Sequence, residues 1–191
     1  LPMNPVTVSF VSLPEWSTLV PTGALTPGTE ADHLALVHGG LPSGALRDEP
    51  VRSIGATCIY VHDDREEHAV LQRYPNARAL PMQGLMVRAA KAHGADQAVL
   101  LMHRGADRLD IAIADRGRLL LSNTYPARSA HDVLYFTLLA LERTGLPPNG
   151  TRLLYGGTHL SDAERDLLAR YVEQCSPAQA LRWDDTTGPP A

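Results

Sequence analysis

Short apolar runs alternate with amphipathic stretches through the first half of the chain, and this pattern predicts strands interleaved with helices. In residues 6–11, valines and a phenylalanine alternate with threonine and serine, which is the period of a half-buried strand. The stretch 29–38 places Ala31 and Leu34 on one stripe, as in an amphipathic helix. Glycines and prolines interrupt 39–50, so a loop is predicted there. The other elements predicted for this half are strands at 18–21, 57–61 and 77–80 and helices at 63–74 and 83–93.

The second half begins with three consecutive β-type segments joined by tight turns. The segment 97–102 is continuously apolar, whereas 108–114 alternates apolar with polar or small residues. After a turn at 115–118, the segment 119–124 is again rich in apolar residues. Three such segments in succession predict an antiparallel meander at the centre of a mixed sheet.

Two helices with N-terminal capping signals follow the meander. A serine and an aspartate three residues later begin the first helix, predicted for 129–144. Ser161 and Glu164 form the capping box of the second, predicted for 161–174, with Tyr171 facing inward. The remaining predictions are a strand at 151–155, a last strand at 178–181 and a loose tail at 183–191. The residues predicted to be buried are Val133, Phe136, Ala140, Leu141, Leu168 and Val172.

Composition and charge exclude several classes of protein. Hydrophobic residues make up 44% of the 191 residues and charged residues 20%, which is typical of a folded domain rather than a disordered chain. The net charge of -4 argues against binding to nucleic acid through phosphate contacts. Cys58 and Cys175 lie far apart in apolar surroundings and are predicted to be unpaired thiols. There is neither an apolar run long enough to span a membrane nor a signal peptide, so we expect a cytoplasmic protein.

Familiar catalytic signatures are missing from the sequence. It contains no phosphate-cradling loop, no dinucleotide fingerprint and no nucleophile elbow. His62 beside two aspartates has no metal-ligand spacing, and a charged helix start explains this cluster. Basic pairs such as His103–Arg104 and Arg116–Arg118 are interpreted as solvated turns.

Two consecutive glycines, Gly156 and Gly157, follow the apolar segment 151–155. Glycines at that point let the backbone approach another strand or a flat ligand closely. A tight strand-to-helix turn needs the same residues and no ligand, and we favour this interpretation. The sequence alone leaves both open.

The order of these elements is that of one half of an actin-like ATPase domain: a three-stranded meander, a long helix, a strand ending in two glycines, and another helix. The chain resembles the bacterial domain-of-unknown-function family numbered 3822 (DUF3822), whose fold is actin-like. The resemblance covers about Val6 to Leu181 and lies in the segments 18–21, 73–78, 99–125, 133–136 and 153–157. It implies an α/β, actin-like (ribonuclease H-like) domain whose mixed sheet is flanked by helices.

The resemblance also implies a domain organisation. Family members carry further strands before the segment that matches 6–11, so we expect the domain to be incomplete at its N-terminus. Because the chain begins at Leu1 rather than at a methionine, we also expect the natural product to be longer. The implied division is a partial N-terminal lobe at 1–96, a second lobe with the meander at 97–182, and a flexible tail at 183–191.

A second phosphate loop can be compared with the family pattern position by position. In active actin-like ATPases the corresponding turn carries an aspartate that positions magnesium, then a glycine and a hydroxyl residue. In this chain His103 occupies the aspartate position, Gly105 the glycine position and Asp107 the region of the hydroxyl. A histidine is not a magnesium ligand, and a carboxylate at Asp107 would repel phosphate. Gly156 and Gly157 would lie beside the adenosine, and the comparison implies loss of hydrolysis.

Two functional hypotheses follow. The first is a non-catalytic binding or assembly module without a cofactor, which docks an unknown protein partner or a second copy of itself and uses neither nucleic acid nor a membrane span. The alternative is an ATPase or kinase-like enzyme that binds ATP and magnesium at a displaced metal site. A nuclease of the ribonuclease H-like fold would need clustered acids at strand ends, and the sequence does not supply them.

Overall fold

The computed structural model describes residues 8–40, 44–62, 64–157 and 159–178. The strands of these residues are β1 (Ser9–Ser12), β2 (Ser17–Pro21), β3 (Ala45–Val51), β4 (Ala56–His62), β5 (Arg78–Pro81), β6 (Val99–Arg104), β7 (Arg108–Asp115), β8 (Arg118–Pro126), β9 (Arg152–Gly156) and β10 (Gln174–Pro177). The helices are α1 (Glu30–His38), α2 (Asp64–Arg73), α3 (Met82–His93), α4 (Ala130–Thr144) and α5 (Asp162–Ala169). Residues 6 and 7 of the first predicted strand, most of the predicted strand 178–181 and the predicted tail lie outside the described residues.

The largest sheet has five strands in the order β10–β9–β6–β7–β8. β6, β7 and β8 are antiparallel neighbours, which confirms the predicted meander. β9 runs parallel to β6, and β10 runs parallel to β9. Parallel neighbours need a crossover, and α4 and α5 provide the two crossovers that this half of the sheet requires.

Side chains of β7 alternate between the two faces of this sheet. Leu109 and Ile111 are buried in the cluster that also contains residues of α4 and α5. Ala112 points to the opposite face, where α3 packs closely through small residues such as Ala90. Asp110 shares the α3 face with Ala112 because side chains two residues apart on a strand point the same way. One predicted polar position of β7 is therefore directed into the structure.

The core predicted for the two C-terminal helices is largely confirmed. The buried members of the prediction are Val133, Ala140, Leu141, Leu168 and Val172. Phe136 is only half-buried and stacks on Tyr125 of β8 with ring centroids 4.6 Å apart. The predicted capping box is present, since Ser129 accepts from the N–H of Asp132 and Asp132 accepts from the N–H of Ser129. In the part of the chain that the structure describes, no helix is long and apolar enough to cross a bilayer.

The helix predicted for 161–174 is too long. It ends at Ala169, and Gln174 begins a strand instead. Tyr171, predicted to face inward, is 52% exposed in the connection between the two elements. The burial of Val172 fits either conformation, so the sequence pattern could not decide between them. Parallel pairing of β10 with β9 satisfies backbone groups at the sheet edge and determines the outcome.

Both cysteines are free thiols. Cys58 is fully buried in β4, and Cys175 lies on β10 rather than at the helix end that the sequence predicted. Burial raises the pKa of Cys58 to about 12. A buried thiol with a raised pKa stays protonated at neutral pH, and Cys58 packs with Val51 and Val87.

Two smaller sheets form the N-terminal half. β1 and β5 pair in parallel, and β2, β4 and β3 form an antiparallel sheet on which α1 packs through Leu34. The predicted loop at 39–50 is wrong for its second part, because Ala45–Val51 is the edge strand β3. An edge strand tolerates Pro50, and four consecutive exposed residues hide the alternation by which strands are usually recognised.

A buried carboxylate joins the elements of the N-terminal half. Glu49 of β3 is 6% exposed and accepts from the guanidinium of Arg78 on β5 at 2.5 Å and from that of Arg88 on α3 at 3.0 Å. Val87 of α3 packs on the three-stranded sheet, while other side chains of the same helix pack on the five-stranded one. Helix α3 therefore contacts both sheets, and it ends just before the implied lobe boundary between residues 96 and 97. The two-lobe division stays a prediction.

Candidate functional site

Four residues lie side by side across four strands at one end of the five-stranded sheet. The strand registers place Gly156 of β9 opposite His103 of β6, and His103 opposite Asp110 of β7. Asp110 is in turn opposite Thr124 of β8. Directly paired residues point to the same face of a sheet, here the face that α3 covers further along. These four residues are called the polar row.

The Asp110 carboxylate is the charged centre of the polar row. Its Oδ1 atom accepts from the Thr124 hydroxyl at 2.7 Å and from Nη2 of Arg108 at 2.5 Å. Nδ1 of His103 lies 3.3 Å from its Oδ2. Burial by itself raises the pKa of Asp110, but hydrogen bonds from His103, Arg108 and Thr124 and the charge of Arg108 outweigh burial and lower it. The side chain is therefore an ionised carboxylate whose acceptors are engaged by the protein.

Replacing Asp110 with asparagine should lower the free energy of unfolding by about 1–3 kcal/mol near neutral pH, because Arg108 loses its buried partner. Folding lowers the pKa of Asp110, so the ionised group stabilises the native state above the pKa of the unfolded chain. That contribution is lost as the pH falls through the folded-state pKa. Urea unfolding at a series of pH values should therefore show the difference between wild type and variant shrinking below about pH 4.

The matched control is Asp107→Asn, which changes an exposed carboxylate three residues earlier in the same hairpin. Its effect on the free energy of unfolding should stay within about 0.5 kcal/mol at every pH. A difference between wild type and Asp110→Asn that stayed constant down to about pH 3 would contradict the lowered pKa.

The sequence interpretation placed Arg104 in a solvated turn, and this was wrong, because the residue is only 5% exposed. Its Nη1 atom donates to the carbonyl oxygens of Gly105, Ala106 and Ala127 at 2.6, 2.8 and 3.0 Å. Its Nε atom donates to Oε1 of Glu164 at 3.1 Å. The guanidinium thus holds the β6–β7 hairpin from the inside and connects it to α5.

Glu164 belongs both to this ion pair and to the cap of α5. Its Oε2 atom accepts from the backbone N–H of Ser161 at 2.7 Å and from the Ser161 hydroxyl at 2.8 Å. Burial raises the pKa of Glu164, but the hydrogen bonds from Ser161 and the bond and charge of Arg104 lower it by more. The capping box predicted from the sequence is therefore also an anchor for the hairpin sixty residues earlier.

The two adjacent glycines differ in their surroundings. Gly157 has φ +101°, and a Cβ atom on it would lie 2.3 Å from the carbonyl oxygen of Arg104. Close approach of two backbones therefore requires glycine at this position, in agreement with the interpretation that needs no ligand. A Cβ atom on Gly156 would meet no atom within 4 Å, which leaves open space beside His103.

The other residues of the implied phosphate loop do not gather at the polar row. Gly105 is buried, and its N–H donates to the carbonyl oxygen of Arg108 at 3.0 Å across the hairpin. The side chain of Asp107 is exposed at the hairpin tip. Nη1 of Arg108 donates to the carbonyl oxygens of Leu13 and Pro14, so the hairpin is also fastened to the segment after β1.

A second buried polar cluster lies between β4 and α2, and the sequence interpretation missed it. Nδ1 of His62 is 2.6 Å from Oε2 of Glu67, and both side chains are almost fully buried. The two groups are close enough for an ion pair although they are not aligned as a hydrogen bond. Nη2 of Arg47 lies 3.1 Å from the other ring nitrogen of His62. Burial, and then the charge of Glu67, raise the pKa of Tyr60 to about 12. A charged helix start accounts for none of these contacts.

Magnesium bound to a nucleotide requires hard oxygen ligands, and the polar row offers one carboxylate. That carboxylate, Asp110, is already bound by Arg108 and Thr124 and lies beside His103. The residues present therefore do not fit a magnesium–nucleotide complex. Among the residues that the structure describes, no three His, Cys, Asp or Glu side chains are grouped so that they could hold a metal ion.

Several solved structures are similar to this chain, and one of them has an actin-like ATPase fold. A protein of Bacteroides thetaiotaomicron VPI-5482 with an actin-like ATPase fold and unknown function matches at a TM-score of 0.78 and 18% identity, over 90% of this chain and 68% of that one. The PilM–PilN type IV pilus biogenesis complex matches at a TM-score of 0.42 and 14% identity, over 85% of this chain and 65% of that one. The AlfA filament bound to AMPPNP matches at a TM-score of 0.37 and 10% identity, over 94% and 54%.

The first of these likenesses shows an α/β, actin-like fold, and an identity of 18% shows no more than the fold. Among curated proteins, none matches the sequence significantly. The model of the family described as "Protein of unknown function (DUF3822)" matches residues 8–175, which is most of the chain. This chain therefore belongs to the DUF3822 family, as the order of its meander, helices and paired glycines had indicated.

Proposed function

We propose that this chain is a non-catalytic, cytoplasmic actin-like module that docks a protein partner or a second copy of itself and has lost ATP hydrolysis. The observation that carries the proposal is the state of Asp110, the carboxylate of the polar row. Its acceptors are taken by Arg108 and Thr124. The family resemblance would put His103 at the position of the metal-positioning acid of active actin-like ATPases. The actin-like fold and the family membership support an actin-like module, but they do not bear on the loss of ATP hydrolysis.

The hairpin backbone supports the same conclusion. A phosphate loop works by presenting backbone N–H groups to the phosphate. In this chain the N–H of Gly105 is bonded within the hairpin to Arg108. The carbonyl oxygens of Gly105 and Ala106 are turned inward to the guanidinium of Arg104. These contacts engage one N–H and two carbonyl groups of the hairpin within the protein.

Exposed apolar side chains support the docking role. Leu36 and Val37, adjacent at the C-terminal end of α1, are 85% and 60% exposed, while Leu34 of the same helix is fully buried. Tyr135 of α4 is 60% exposed. Exposed apolar side chains that lie next to one another, as Leu36 and Val37 do, are characteristic of surfaces that contact another protein. A module of this kind would act by binding, and the residues of the implied phosphate loop would stabilise its fold.

A thermal-shift measurement tests the loss of nucleotide binding. We expect no change in melting temperature when Mg-ATP is added at about 1 mM. A ligand present at about a hundred times its dissociation constant would stabilise the native state by about 2.7 kcal/mol, which a melting curve detects readily. A malachite-green assay on the same sample should show no phosphate release above buffer.

The alternative enzyme makes the opposite prediction. An ATP-binding enzyme with a displaced metal site would draw on Asp107, the exposed carboxylate of the hairpin, and on the open space at Gly156. A clear shift with Mg-ATP that disappears in Gly156→Leu and in Asp107→Asn would replace the proposed function with this one. His103→Asp should not create activity by itself, because Arg108 and Thr124 would still hold the neighbouring carboxylate.

A further inference from the structure

Two arginines share one buried carboxylate beside helix α3. Oε1 of Glu49 accepts from Nη2 of Arg78 at 2.5 Å and from Nη2 of Arg88 at 3.0 Å, so the two guanidinium groups lie next to each other. Glu49 is 6% exposed, whereas the side chains of Arg78 and Arg88 are 56% and 24% exposed. One negative charge therefore faces two positive charges, and it is the positive groups that reach the solvent.

Two further cations adjoin this pair at the end of β3. Arg88 also donates to the carbonyl oxygen of Pro50 at 2.8 Å. Lys91, three residues further along α3, donates to the carbonyl oxygen of Ser53, and Arg52, the residue before Ser53, is exposed. Neither Lys91 nor Arg52 forms an ion pair with a carboxylate among the residues that the structure describes. The four neighbouring cations are called the basic cluster: Arg52, Arg78, Arg88 and Lys91.

The basic cluster concentrates positive charge on a chain whose net charge is -4. Like charges that the fold holds side by side repel one another, and an added anion offsets that repulsion. A local surface of one sign on a protein of the opposite net sign attracts a complementary partner to that surface alone. The cluster therefore has the charge of a docking site for an anionic group.

We propose that the basic cluster docks an acidic segment of a protein partner, whose aspartate or glutamate side chains pair with its cations. The inference rests on the docking role proposed above and names the chemistry of the partner. Several carboxylates along one segment fit cations that are spread over a turn of α3 and the residues after β3, whereas a phosphate ion offers one charge centre for all four. A long nucleic acid is disfavoured, because the net charge of -4 repels a polyanion.

Fluorescence anisotropy with a labelled hexaglutamate peptide tests the proposal. The dissociation constant should be about 10–100 µM at about 50 mM salt and should rise at least about tenfold at 500 mM, because salt screens exposed charges. Arg52→Glu combined with Lys91→Glu should weaken binding by about tenfold or more. These two positions are chosen because Arg78 and Arg88 hold the buried Glu49, and their loss would disturb the fold.

Arg143→Glu combined with Arg170→Glu is the matched control, because it makes the same change in net charge at exposed arginines of α4 and of the end of α5. It should leave the dissociation constant within about twofold of wild type, since salt screens charges that lie far from the peptide. Should the doubly reversed cluster variant fail to fold, Arg52→Gln combined with Lys91→Gln neutralises the same charges and should weaken binding by about threefold or more.

Four results would overturn the proposal. One is no binding of hexaglutamate up to about 1 mM at about 50 mM salt. Another is an equal loss in the cluster and control variants, which would mean attraction by overall charge alone. Displacement of the peptide by about 1 mM inorganic phosphate would indicate a site for small anions, and tighter binding of double-stranded DNA would indicate a nucleic-acid ligand. A melting shift with Mg-ATP that persists in the Arg52 and Lys91 variant would contradict the proposed loss of nucleotide binding and leave this inference standing.

Discussion

Replacing Gly157 with alanine should destabilise the protein by roughly 2–6 kcal/mol, the sum of about 1–3 kcal/mol of backbone strain and about 1–3 kcal/mol of overpacking. The strain arises because φ at this position is +101°, which an L-residue with a side chain rarely adopts. The overpacking arises because the new Cβ atom would lie 2.3 Å from the carbonyl oxygen of Arg104 and 2.8 Å from its nitrogen. Both atoms belong to the backbone of β6 and cannot rotate away. The measurement is urea-induced unfolding followed by circular dichroism.

Gly156→Ala is the matched control for that variant. The two glycines are adjacent, but Gly156 has ordinary φ and no atom within 4 Å of its ideal Cβ position. Its replacement should change the free energy of unfolding by less than about 0.5 kcal/mol, or stabilise the protein slightly by restricting the unfolded chain. If both substitutions cost the same, the close approach between Gly157 and Arg104 does not limit stability.

The sequence predicted a close backbone approach at these two glycines but not which of them makes it. A double glycine after an apolar strand predicts that the backbone approaches something, and the structure shows that for Gly157 the neighbour is the adjacent strand. The sequence could not distinguish Gly157 from Gly156, because the distinction depends on which of them faces Arg104. That arrangement follows from the parallel pairing of β9 with β6, two strands that β7, β8 and α4 separate in the sequence. Local sequence contains no information on such pairing.

The meander and its polar row can be predicted from the sequence more readily than the contact of Gly157. Once β6 and β7 are recognised as a hairpin with a short loop, the register that sets Asp110 opposite His103 follows from counting residues. The alternation of β7 then places Asp110 on the face opposite Leu109. The sequence interpretation stopped at the loop positions His103, Gly105 and Asp107 and did not follow the register to Asp110.

Elements whose conformation depends on distant partners were predicted least well. β3 contains Pro50 and four exposed residues, and only its pairing with β4 makes it a strand. The residues after Ala169 could have continued α5, but pairing with β9 draws Gln174–Pro177 into the sheet. The interpretation of Arg104 failed for the same reason, since its partner Glu164 lies sixty residues further along the chain. Patterns in a short window report burial and period, not the identity of a distant neighbour.

Substituting Arg104 with alanine should lower the free energy of unfolding by about 3–5 kcal/mol, because it breaks a buried ion pair and leaves Glu164 without its cation. The same change removes the donor shared by the carbonyl oxygens of Gly105, Ala106 and Ala127. Buried acceptors that lose their only charged donor keep the full desolvation penalty. Methionine at this position fills more of the vacated volume than alanine, so Arg104→Met separates lost packing from lost hydrogen bonds.

Arg165→Ala is the control, because it removes another arginine ion pair of the same helix in an exposed setting. The side chains of Arg165 and its partner Asp162 are 42% and 86% exposed, so their pair should contribute less than about 1 kcal/mol. If Arg104→Ala cost no more than Arg165→Ala in urea unfolding, water would be replacing the guanidinium under the hairpin. The hairpin would then be free to rearrange around a ligand, and its contacts with Arg104 would no longer favour a non-catalytic role. A cost several times larger, for methionine as for alanine, would mean that Arg104 fixes the β6–β7 hairpin as part of the core.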